Sequence, residues 1–97
     1  MNRRAVAFLL ILLSLSLITS GCYYWSARSE MKNAEQLISE LKGAGGANRV
    51  PYEYTSAEKF LEVSRMEFGE NDYKHAKEFA VQSKAAAQAG LVEVKKK

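Results

Sequence analysis

Two side chains in this 97-residue chain stand out by chemical type, the lone thiol of Cys22 and the lone imidazole of His75. A thiol can attack a carbonyl, bind a soft metal or accept an acyl group. The imidazole of His75 has Asp72 three residues before it and Glu78 three residues after it. A metal site needs more donors converging in a defined geometry, and a nucleophilic triad needs an activated serine or cysteine beside the base. Neither pattern is written around His75, which reads as a solvent-side helix residue. The glycine-rich run Gly43-Ala44-Gly45-Gly46 lacks the following Lys-Ser/Thr pair that a phosphate-cradling loop requires. No catalytic residue, no metal site and no small-molecule substrate are therefore expected.

The surroundings of Cys22 point to acylation. Arg3 and Arg4 supply a positive start, Ala5 to Ile18 a leucine-rich apolar stretch, and Thr19-Ser20-Gly21 small residues before the cysteine. That order resembles a bacterial lipoprotein signal peptide, with Thr19 where leucine is usual and Ile18 one place earlier. The resemblance implies cleavage between Gly21 and Cys22, a covalent lipid on Cys22, and no other cofactor. Aspartate after the cysteine is the inner-membrane retention signal of such proteins, so Tyr23 implies an outer-membrane location with the remaining chain in the periplasm. The alternative is a single-pass membrane anchor counted through to Trp25. A spanning helix needs about 20 predominantly apolar residues, and Ser14, Ser16, Thr19, Ser20 and Gly21 suit a cleavage region better.

Tyr23, Tyr24 and Trp25 follow the cysteine directly, and aromatics with polar tips favour the membrane–water boundary. Residues 22–26 are thus expected to form an interfacial tether. Packing of these rings onto the first helix is the other reading. The net charge of +3 falls to +1 without Arg3 and Arg4, too little to argue for nucleic acid. With one cysteine there is no intrachain disulfide.

The chain after residue 21 can build one small domain, over residues 27–90. Ala27, Met31, Ala34, Ile38 and Leu41 step by four and three along one helical face, predicting a helix over about 27–42 that ends at the glycine run. Tyr54, Ala57, Leu61, Ser64 and Phe68 repeat the pattern over 51–68, with Pro51 suited to the first helical position. Tyr73, Ala76, Ala80, Ser83 and Ala87 form a small-residue stripe over 72–89, capped by Asn71 or Asp72. Gly90 is expected to loosen this helix, leaving 91–97 as a frayed basic tail. Lys95, Lys96 and Lys97 suit a helix C-terminus through its dipole; contact with anionic lipid or glycan is the less favoured reading. The tight Gly69–Asp72 connection makes the last two helices antiparallel neighbours.

Phe79 and Ala86 form a second apolar line on the third helix, beyond the stripe the hairpin needs, and Tyr52 lies off the stripe of the second. These three are the candidate partner-binding residues, since exposed aromatics give large contact area at low entropic cost.

The segment from Ala57 to Ala89 resembles a single tetratricopeptide-type repeat, most clearly at Asn71-Asp72-Tyr73-Lys74-His75-Ala76, with Phe60, Val63 and Ser64 at family-like positions. With Pro51-Tyr52-Glu53-Tyr54 upstream, the chain also resembles a group of small, functionally uncharacterised Gram-negative envelope lipoproteins. The expected fold is all-α, a small three-helix arrangement with an antiparallel tetratricopeptide-like hairpin behind a cleaved signal peptide over 1–21. The expected function is a non-catalytic adaptor or scaffold, held to the membrane by its lipid and contacting an envelope protein. A structural spacer or accessory subunit of an envelope complex is the alternative.

Overall fold

A computed structural model describes residues 2–96, and the side chains of residues 15–21 lie outside that description. Lys97, at the end of the proposed tail, also lies outside it. Among the described residues all regular structure is helical: α1 (Arg3–Gly43), α2 (Gly46–Arg49), α3 (Pro51–Gly69) and α4 (Tyr73–Lys96).

Helix α1 differs from the expected helix over 27–42 with a separate tether at 22–26. It is one helix of 41 residues, begun by the Asn2 side chain accepting from the Arg4 N–H. No proline falls within it, and one glycine at position 21 costs only about 1 kcal/mol of helix propensity. That cost is too small to break a helix between an apolar run and a packed segment. The radius of gyration, 18.7 Å, far exceeds the roughly 12.5 Å of a compact chain this long. The excess comes from the N-terminal part of α1, where Phe8, Leu10, Ile11 and Leu13 stand exposed.

The remainder is an up-down-up bundle. Tyr24 of α1 lies beside Phe68 at the end of α3 and Tyr73 at the start of α4. At the other end, Leu41 meets Gly90. Helices α1 and α4 therefore run parallel, with α3 antiparallel to both.

The seam between them is made of small side chains. Ala27, Ala34 and Leu41, seven residues apart, are fully buried in α1; Ala76, Ala80, Ser83 and Ala87 are fully buried in α4. A seven-residue spacing keeps one face turned to its neighbour, and alanine lets backbones approach closely. The two buried serines are satisfied across the hairpin. Ser64 Oγ donates to the Ala76 carbonyl and Ser83 Oγ to the Ala57 carbonyl, each at 2.6 Å, so neither hydroxyl carries an unpaired desolvation cost. Glu30, on the edge of the α1 stripe, pairs with Lys84 of α4 at 2.7 Å.

One end of the seam is closed around Leu41. Leu41, Val50 and Val94 form an apolar cluster with Ala44, Tyr54 and Leu91 packed on it. Gly45, at φ 82°, makes the turn before α2. Gly46 then lies where any Cβ would come within 2.7 Å of the Leu41 carbonyl oxygen. Gly90, expected to loosen α4, is instead buried within an unbroken helix. The helix continues to Lys96 because Leu91 and Val94 still face this cluster, so residues 91–96 are helical and not a frayed tail.

Candidate functional site

Helix α3 ends at Gly69, Glu70 follows as its C-cap, and Asn71 takes the left-handed conformation at φ 64°. Asparagine tolerates that region better than most residues. Asp72 is the cap of the next helix: its Oδ1 accepts from the His75 N–H at 3.3 Å, and its Oδ2 lies 2.7 Å from His75 Nδ1. The hydrogen bond from His75 holds the Asp72 carboxyl below its ordinary range, and the same contact raises the His75 imidazole above its ordinary value. Folding brings Glu67 to this pair, with ligand atoms of the three residues within 4.8 Å of one another. Both Asp72 oxygens are already engaged with His75, so the cap accounts for the arrangement. Glu78, on the His75 helix, was visible as a neighbour in sequence; Glu67 was hidden because it arrives from the preceding helix.

This turn sits against the residues that follow Cys22. The Tyr24 ring lies 5.3 Å from Phe68, 5.1 Å from Tyr73 and 5.4 Å from Trp25, centroid to centroid. Phe68 and Tyr73 meet edge to face at 5.1 Å. Edge-on and tilted ring contacts of this kind stabilise beyond simple burial. Arg28 covers the outer side of Tyr24, with its Nη1 3.3 Å from the hydroxyl. The three aromatics after the cysteine thus divide their surroundings. Tyr24 joins the bundle, Trp25 is 68% exposed, and Tyr23 is half-buried beneath Lys77. Cys22 itself is an exposed free thiol. Gly21, the other residue at the proposed cut, lies among those whose side-chain surroundings are not described.

Comparison with family models, curated proteins and solved structures finds no match to this chain. Among the described residues, no helix is long and apolar enough to cross a membrane.

The candidate partner residues lie on the outer flank of the hairpin. The Phe79 ring stacks on Phe60 of α3, 6.5 Å between centroids and 22° between planes. Tyr52, 79% exposed, lines a shallow groove with Phe60. Ala86 is half-buried two turns beyond Phe79. Phe60 is the residue that joins the flank, a role not visible in sequence because it depends on which turn of α4 faces which turn of α3.

Proposed function

We propose that this chain is an outer-membrane lipoprotein, acylated on Cys22, whose helical bundle faces the periplasm and serves as a non-catalytic adaptor. One observation carries the reading. Cys22 falls where α1 changes from an exposed apolar helix at residues 6–13 to a face packed in the bundle from Ala27 onward. Cleavage before Cys22 would remove a segment whose described side chains are exposed, leaving Tyr24 and every buried seam residue in place. The aromatic contacts of Tyr24 then join the lipid-bearing residue to the bundle through a short, packed connection.

The flank formed by Tyr52, Phe60 and Phe79 supports the adaptor role, since it displays aromatic surface beside a seam complete without it. Its test is site-specific photocrosslinking in the intact envelope. A photoreactive residue replacing Tyr52 is expected to give a discrete protein adduct, and one replacing Lys32 on the exposed side of α1 to give none. Equal or absent adducts at both positions would remove the binding flank.

A spacer role is the second reading, favoured by the parallel course of α1 and α4. That course sets Lys95 and Lys96 at the opposite end of the bundle from Cys22, about 36 Å away along the bundle axis.

A further inference from the structure

The beginning of α4 carries two lysines whose charge is met by no carboxylate among the described residues. Lys59, Arg65, Lys84 and Lys96 each pair with a carboxylate. Lys74 and Lys77 form no ion pair among the described residues. They border a cleft of about 460 Å³ with Tyr23 and Val81 on its apolar side and Glu78 as its carboxylate. Lys77 Nζ stands 5.9 Å from the centre of the Tyr23 ring.

Three features orient this cleft toward whatever holds Cys22. Tyr73 contacts Tyr24, so α4 starts about 3 Å along the axis from Cys22, and Lys77 lies about 6 Å further. Side chains tilt toward the N-terminus of their own helix, which for α4 is the Cys22 end. The lysines of α4 therefore lean toward that end, while those of the antiparallel α3 lean away. The positive end of the α4 dipole points the same way.

We infer that the cleft of Tyr23, Lys74, Lys77 and Val81 receives the headgroup of a net-anionic phospholipid from the membrane that holds Cys22, an inference resting on the lipoprotein reading above. The lysine stems lie along Tyr23 and Val81 and their ammonium groups reach the phosphate, as long cationic side chains do at interfaces. Glu78 restricts the site to one headgroup by opposing further negative charge. Glu67 and Glu70, at the turn, keep the rest of this end from being uniformly basic. Docking at this cleft fixes which side of the bundle rests on the bilayer and leaves Tyr52 free at the far end.

The test is amine footprinting of the full-length gene product, purified from bacterial membranes and reconstituted in vesicles of phosphatidylcholine with or without phosphatidylglycerol. Acetylation rates of Lys74 and Lys77 are read by mass spectrometry, with Lys59 and Lys95 as references in the same molecule, and the mass of the Cys22 peptide reports acylation. Phosphatidylglycerol should slow modification of Lys74 and Lys77 about fivefold relative to the references, and high salt should abolish the effect. Equal rates in the two vesicles would overturn the inference, whether the residues are uniformly open or uniformly shielded. An unmodified Cys22 would refute the lipoprotein reading separately, because a chain held by its apolar segment still reports on the cleft through the same two lysines.

Discussion

Gly90 lies so close to Leu41 that a Cβ at position 90 would come within 2.7 Å of Leu41 Cδ2. Leu41 is fully buried, so its side chain has little room to move away. Gly90→Ala gains about 1 kcal/mol of helix propensity and meets an overpacking cost of about 1 to 3 kcal/mol. The net expectation is a lower Tm. Leu41→Ala alone should cost about 2 to 5 kcal/mol. The double variant should be more stable than the sum of the two predicts, because the new methyl enters the vacated space. Strict additivity in denaturant melts would show that the two residues do not share that space.

The alanine seam predicts a sharp positional contrast. Ala80→Leu should destabilise by about 1 to 3 kcal/mol through overpacking, while Gln88→Leu on the exposed side of the same helix should change stability by less than about 0.5 kcal/mol. Ser64→Ala and Ser83→Ala should each cost about 1 kcal/mol, the net worth of a buried hydrogen bond. Similar Tm values for all four variants would show that the seam has been misplaced.

The cap at Asp72 has a defined pH signature. The His75 value is raised in the folded chain, so its contribution to stability is fully present below the unfolded value near 6.5 and is lost as pH rises through the folded value. The Asp72 value is lowered, so its contribution is present above the unfolded value near 3.8 and is lost as pH falls through the folded value. NMR titration should place His75 above 6.5, and Asp72→Asn should bring it back toward that value. An unchanged His75 titration in the variant would remove Asp72 as the cause.

Phe79→Asp should keep helical circular dichroism while lowering stability by about 1 kcal/mol, the order expected for losing an aromatic pair on a half-buried flank. The same change should eliminate the adduct formed from position 52. Global unfolding would place Phe79 in the core and remove the flank as a binding surface.

Much of the bundle was legible in the chain. Ala27, Ala34 and Leu41, and Ala76, Ala80, Ser83 and Ala87, repeat with helical spacing, and the buried faces follow that spacing because small and apolar residues lose least on burial. Gly90 is ambiguous in sequence because a glycine late in a helix has two physical uses, ending the helix or allowing close approach. Only the position of Leu41 decides between them. Similarly, the 22–26 segment reads as a tether by composition, yet Tyr24 finds Phe68 and Tyr73, partners 44 and 49 residues away in sequence. The Glu30–Lys84 pair is not legible in the chain, since Glu30 lies beside the Ala27–Met31–Ala34 stripe and its partner comes from α4. Lys74 and Lys77 left no trace either, because their use depends on α4 running parallel to α1.

On the reading proposed above, the functional chain starts at Cys22 with lipid on that residue. Intact and peptide mass spectrometry of the protein extracted from bacterial membranes tests it most directly, compared with Cys22→Ala fed the same fatty-acid analogue. The wild-type chain is expected to begin at Cys22, carry acyl groups there and fractionate with the outer membrane, and the Cys22→Ala chain to incorporate no label. A wild-type chain that retains residues 1–21 with an unmodified thiol, or equal label in both proteins, would contradict it.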